Sequence, residues 1–95
     1  MDPDNPLHQD VVLVNELGLH ARSAAQIARI ARQAKGRVWI LRRGERADAT
    51  SVLDLLTLAS PQGSPLRISV EDPADRPVLE ALARLVESGF EEGPP

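Results

Sequence analysis

The chain contains no cysteine, which excludes disulfides and thiolate metal sites. Aromatic residues are nearly as scarce: Trp39 and Phe90 are the whole complement, and there is no tyrosine. A core must therefore be built from Leu, Ile, Val and Ala. No apolar run approaches the roughly 20 residues of a membrane span, so no membrane insertion is expected. The first ten residues carry Pro and Asp rather than the basic and apolar pattern of a signal peptide. The missing cysteine also suits a reducing compartment, and a cytoplasmic location is expected. An excess of positive charge is absent: 11 Lys and Arg face 14 Asp and Glu, for a net charge of -3. Overall charge thus gives no support to a nucleic-acid role. No ligand spacing is visible around either histidine, so neither a metal site nor a cofactor is expected.

What is present suits one globular domain over all 95 residues. Residues 1–9 read as a loose leader and 91–95 as a frayed tail. Val11-Val12-Leu13-Val14 reads as a short buried strand. A first helix opens near His20 and runs to about Ala34. Ala24, Ile27, Ala28, Ala31 and Ala34 recur on one face, and Arg22, Arg29 and Arg32 lie off it. Gly36 reads as its stop signal. Residues 37–42 alternate as a strand, Arg43-Gly44-Glu45 as a turn, and residues 46–49 as a returning strand. Ser51 caps a second helix to about Ala59, with Val52, Leu55 and Ala59 inward and Leu53 and Leu56 outward. Leu66, Ile68 and Val70 mark a further strand. Val78, Leu79, Leu82, Leu85 and Val86 form the apolar stripe of a third helix over residues 76–88. The order βαββαβα predicts an α+β fold: a four-stranded antiparallel sheet with three helices on one face.

Charge is unevenly spread. Between Arg22 and Arg46 there are eight Lys or Arg against one acid, Glu45. A basic face on an acidic protein points to an acidic partner or a phosphate. His20 stands directly before the first helix, where unpaired backbone N–H groups and a partial positive charge favour anions. Arg22 can bring a guanidinium to the same anion. A neutral imidazole is available near neutral pH as a nucleophile. These parts suit reversible phosphoryl transfer through His20. Spacing alone favours a plainer reading, in which His20 is a cap residue and Arg22 a solvated first-turn residue.

Asn15-Glu16-Leu17-Gly18-Leu19-His20-Ala21-Arg22-Ser23-Ala24-Ala25 resembles the active-site motif of the HPr family, the histidine-containing phosphocarriers of the bacterial sugar phosphotransferase system. That motif typically reads Gly-Leu-His-Ala-Arg-Pro-Ala. Ser51 follows His20 by 31 residues, similar to the family's spacing to its regulatory serine. Thr50 to Leu58, Gln62-Gly63 and Ile68-Ser69-Val70 resemble the family's second helix, loop and last strand. The resemblance spans about Val11 to Gly89 and implies the family's open-faced β-sandwich.

It also implies roles. His20 would carry phosphate on Nδ1 and Arg22 would support it, making the chain a transfer intermediate rather than a turnover enzyme. The donor would resemble enzyme I, charged from phosphoenolpyruvate, and the acceptor an enzyme IIA. The docking face would comprise Ala21, Ala25, Arg29, Arg32, Leu53 and Leu56 on a monomer. Ser23 departs from the motif's Pro, and its hydroxyl is expected either to cap locally or to reach the phosphate. Ser51 is expected to be a helix cap, or a site for a kinase resembling HPr kinase/phosphorylase. Two other readings stand beside this one. The first is a regulatory or nitrogen-related paralogue with the same chemistry. The second is a non-phosphorylated adaptor that binds through Arg29, Arg32, Leu53 and Leu56.

Overall fold

A computed structural model describes residues 7–90. In chain order it contains β1 (Leu7–Val12), α1 (Ala21–Ala31), β2 (Val38–Arg42), β3 (Glu45–Asp48), α2 (Val52–Leu56), β4 (Pro65–Val70) and α3 (Arg76–Glu87). A 3-10 turn at Pro73–Asp75 leads into α3. The strands form one sheet in the order β1-β4-β2-β3, and every neighbouring pair is antiparallel. The three helices cover one face of this open sheet. The expected α+β architecture and element order are therefore observed.

The period-2 alternation of the strands explains the sheet's two faces. Val11, Val38, Ile40, Ala47, Leu66, Ile68 and Val70 point to the helices and are buried. Pairing aligns Ile68 with Ile40, and Ile40 with Ala47, so one apolar row crosses three strands. The helices meet this row with Ala24, Ile27, Ala28 and Ala31 of α1, Leu55 of α2, and Leu79, Leu82, Ala83 and Val86 of α3. The small residues of α1 let it lie close to its neighbours. On the open face, Trp39 is flanked by the guanidinium of Arg46, 4.1 Å from the ring centre, and by that of Arg37 at 5.9 Å.

Several boundaries differ from the sequence reading. Part of the expected leader is structured: Leu7, His8 and Gln9 belong to β1 and pair with Val70, Ser69 and Ile68. Residues 1–6 and the tail at 91–95 lie outside the described residues. Val12 and Val14 are exposed, so this segment is buried on one side only. α1 ends at Ala31, and Gly36 is not its left-handed stop. Gly36 instead donates its N–H to Asp75 Oδ2 at 2.8 Å, beside Lys35 N–H on Oδ1 at 2.9 Å. This buried carboxylate ties the α1–β2 connection to the start of α3. The β2–β3 turn is tighter than expected. Arg43 and Gly44 both take positive φ, the signature of a two-residue hairpin loop, and Glu45 already pairs with Arg42.

α2 is also shorter than expected and ends at Leu56. Ala59 turns into the left-handed region, and Arg42 Nη1 donates to the carbonyls of Leu58 and Ala59, both at 3.1 Å. The helical period therefore stops early. Leu58 is buried in place of Ala59, which is exposed.

Candidate functional site

His20 is the N-cap of α1, and its backbone is extended there. The loop before it is held from three sides. Asn15, itself buried, donates from Nδ2 to Gly18 O at 2.8 Å and accepts the Gly18 N–H on its carbonyl at 3.1 Å. Leu19 N–H reaches Ser60 O at 2.8 Å. Gln62 Nε2 donates to Val14 O at 2.9 Å, clipping the base of the loop to the segment before β4. Gly18 has φ +64° and lies directly against the Ser60 carbonyl and the Pro61 backbone. Only a residue without a Cβ fits there. The glycine is thus a packing requirement, not a flexible joint.

At the cap itself the contacts are reciprocal. His20 Nδ1 accepts the backbone N–H of Arg22 at 3.3 Å, and the backbone of Ser23 also donates to the His20 side chain. In return Ser23 Oγ accepts the His20 N–H at 2.9 Å. The Ser23 hydroxyl points to Gly18 O at 3.1 Å and His20 O at 3.2 Å. This is a capping box with serine in the role usually taken by Glu or Gln. Of the two roles expected for Ser23, the geometry uses the hydroxyl as a cap, because its side chain is buried. An accepting Nδ1 places its lone pair toward the helix end and the ring proton on Nε2. The imidazole is half-buried, so it stays reachable from solvent.

Arg22 is exposed and lines a shallow depression with Ala25, Gln26, Arg29 and Phe90. Phe90 closes the C-terminal end of α3: Gly89 turns left-handed and Phe90 N–H returns to Leu85 O at 2.9 Å. That turn brings Phe90 to the face of α1 that carries Arg22. Sequence reasoning did not place Phe90 at the site. Its available signal was Gly89 after an apolar helix, which marks a left-handed cap with an apolar residue behind it.

The expected docking residues are mostly gathered on one side. Ala21, Ala25 and Arg29 are exposed along α1, and Arg32 is exposed at its C-terminal cap. α1 packs on α2, and Arg32 Nη2 donates to Thr50 O at 3.1 Å just before α2 begins. Leu53 stands out at 80% exposure. Leu56 does not join it, because that side chain is half-buried against the core. Leu17, 68% exposed in the loop before His20, is an apolar residue the sequence reading passed over.

Ser51 is the N-cap of α2, and its Oγ accepts the Asp54 N–H at 3.1 Å. Asp54 does not close a reciprocal box. Its carboxylate instead accepts the Asp48 N–H at 2.6 Å. Asp48 in turn takes the Thr50 hydroxyl and N–H, which hold its carboxyl below the usual carboxylate range. Two carboxylates therefore stand close to the start of α2. Among the described residues, no group of three potential ligands could hold a metal ion, and no helix is long and apolar enough to cross a membrane.

Residues 7–88 match the family model described as PTS HPr component phosphorylation site. The chain belongs to the HPr family. It is 32% identical over 87 residues to the phosphocarrier protein HPr of Cupriavidus necator, covering 92% of this chain and 98% of that one. It is 33% identical over 86 residues to the phosphocarrier protein NPr of Shewanella violacea, covering 90% and 94%. Among solved structures, HPr-C-His from Thermoanaerobacter tengcongensis superposes with a TM-score of 0.86 at 27% identity, over 93% of this chain and 99% of that one. An HPr dimer from the same organism superposes with a TM-score of 0.71 at 29% identity, over 86% and 94%. The fold described above is therefore that of an HPr-family phosphocarrier of the phosphotransferase system.

Proposed function

We propose that this HPr-family chain accepts a phosphoryl group on His20 Nδ1 from an enzyme I and passes it to an enzyme IIA. The observation that carries the proposal is the direction of Nδ1. It faces the N-terminus of α1, where backbone N–H groups wait for an anion. In transfer the Nδ1 lone pair forms a bond to phosphorus while the bond from phosphorus to the donor breaks. The donor keeps that electron pair, and the Nε2 proton stays in place. The N–H groups that Nδ1 now receives then serve the phosphoryl oxygens. The chain works as a carrier in the cytoplasm, as one domain and as a monomer. The test is incubation of the purified protein with an enzyme I and labelled phosphoenolpyruvate. One acid-labile phosphate per chain is expected, and no incorporation with any enzyme I would refute the reading. Relatives named HPr and NPr match at nearly equal identity. The assay therefore includes enzyme I proteins that serve each kind, which also decides between sugar transport and a regulatory or nitrogen-related role.

Arg22 supports the phosphate by charge and contributes nothing to the core. Arg22→Ala should slow transfer to His20 by about tenfold, the worth of one interaction with a charged group. Its melting temperature should stay within about 2 °C, as for an exposed surface change. Transfer at the wild-type rate would remove Arg22 from the site.

Leu53 is the apolar anchor of the docking face, rimmed by Arg29 and Arg32, with Ala21 and Ala25 beside His20. An exposed leucine with a basic rim suits an acidic partner. Leu53→Glu should weaken enzyme I binding by about tenfold or more, in the range of an interface residue that matters. The fold should be unchanged. Unaltered affinity by calorimetry would place docking elsewhere. An adaptor that binds through the same face without phosphorylation would lose binding in this variant, yet never take label.

Ser51 is proposed as a second phosphorylation site, served by a kinase resembling HPr kinase/phosphorylase. Asp48 and Asp54 stand beside it, so added negative charge there meets repulsion as well as a helix end. Ser51→Asp retains a capping oxygen. It should slow phosphorylation of His20 severalfold and lower stability by about 1 kcal/mol through that repulsion. If Ser51→Asp transfers as fast as wild type and the kinase adds no phosphate, Ser51 is a cap and nothing more.

A further inference from the structure

The residue that departs from the family motif is also the one most tightly engaged with His20. Ser23 is 1% exposed and meets His20 through both its side chain and its main chain. Its hydroxyl accepts the His20 N–H and points back to Gly18 O, so it fixes the backbone that carries the imidazole. Its own backbone N–H donates to the His20 side chain, alongside that of Arg22. A proline at this position presets φ but has no N–H to give. The serine therefore does two things that the usual residue cannot do together.

We infer that Ser23 is a positioning residue for the phosphohistidine, with the two tasks divided between its groups. The hydroxyl replaces proline's rigidity by tying His20 to Gly18. The N–H supplies one more donor to the phosphoryl oxygens once Nδ1 carries phosphorus. The inference rests on phosphorylation of His20 at Nδ1. It concerns the lifetime of the phosphorylated form, because an extra hydrogen bond to the bound phosphoryl group slows its loss to water.

Two variants separate the tasks. Ser23→Ala keeps the N–H and loses the hydroxyl. Ser23→Pro loses both but restores a preset φ. Each protein is phosphorylated chemically with phosphoramidate, and hydrolysis at His20 is followed at neutral pH. Chemical loading makes the test independent of any partner enzyme. Label at His20 from phosphoramidate but none from enzyme I would sink the carrier reading and leave this test intact. Ser23→Pro should hydrolyse about tenfold faster than wild type, the scale of one hydrogen bond to a charged group. Its melting temperature should fall little. Ser23→Ala should melt several degrees lower, yet hydrolyse within about twofold of wild type, since cap loss acts on the fold. Equal hydrolysis of Ser23→Pro and wild type would overturn the inference. So would a Ser23→Ala protein that hydrolyses as fast as Ser23→Pro. Should Ser23→Pro fail to fold, the amide of Ser23 in wild-type protein decides. Its proton resonance should move downfield on phosphorylation, and an unmoved resonance would overturn the inference.

Discussion

Replacing Gly18 by alanine should cost about 3 kcal/mol or more of stability and slow phosphotransfer at the same time. Two physical terms add. An alanine held at φ +64° carries backbone strain of roughly 1–2 kcal/mol. A Cβ there also overlaps the Ser60 carbonyl and sits 2.8 Å from two Pro61 main-chain atoms. Neither neighbour is a flexible side-chain end, so relief requires backbone movement, at about 1–3 kcal/mol. For a chain of this size the total should lower the melting temperature by roughly 15 °C. Gly44 provides the control. It has φ +81° but nothing within 4 Å of its would-be Cβ. Gly44→Ala should therefore show the strain alone and melt only several degrees below wild type. Because Gly18 O accepts from both Asn15 and Ser23, movement at residue 18 carries His20 with it. Gly18→Ala should lose transfer rate, whereas Gly44→Ala should not. Equal melting temperatures for the two variants would mean that the Ser60–Pro61 contact does not hold the loop.

Replacing His20 should abolish labelling altogether, and the choice of replacement separates chemistry from folding. His20→Ala removes the acceptor and the helix cap, and should lose about 1 kcal/mol. His20→Asn keeps a capping side chain and should melt close to wild type. Neither variant has a nucleophilic ring nitrogen at residue 20, so both should take up no acid-labile phosphate from enzyme I. His8 remains in both as an internal control. It is exposed in β1, across from Ser69. Label transferred to His8, or retained in His20→Asn, would remove His20 from the reaction.

Much of this arrangement is legible in the sequence, where the signals are local and periodic. The α1 stripe of Ala24, Ile27, Ala28 and Ala31 emerges directly from helical spacing, as does the alternation of Leu66, Ile68 and Val70. Ser51 is legible as a cap because its partner, the Asp54 N–H, lies three residues away. The harder features depend on contacts distant along the chain. Residues 7–9 look like a leader until β4 supplies the partners for them. Gly36 looks like a helix stop, and only Asp75, 39 residues on, shows that its N–H answers a buried carboxylate. The demand for glycine at 18 appears only once the 60–61 segment is laid against it. Leu58 takes the inward place expected of Ala59, because α2 stops at Leu56 and Arg42, from β2, binds the carbonyls of Leu58 and Ala59. At the site, composition could not choose between the two uses of the Ser23 hydroxyl. The reciprocal bond with His20 needs the actual path of the chain.

The acid–base behaviour of the surface near the site follows from the same contacts. Asp48 has its carboxyl lowered first by the Thr50 hydroxyl and then by the Thr50 N–H. A group whose folded value lies below its unfolded value stabilises the protein above the ordinary carboxylate range. That contribution is lost as pH falls through the lowered value. The turn that leads into Ser51 should therefore loosen in acid, without change near neutrality.

The central claim is that phosphorus bonds to Nδ1 of His20 with the proton on Nε2. The most direct measurement is a long-range proton–nitrogen NMR spectrum of nitrogen-15-labelled protein after phosphorylation by enzyme I and phosphoenolpyruvate. The account predicts that the His20 ring shows phosphorus coupling at Nδ1 and a protonated Nε2, while His8 is unchanged. Phosphorus coupled to Nε2 of His20, or found on any other residue, would contradict it.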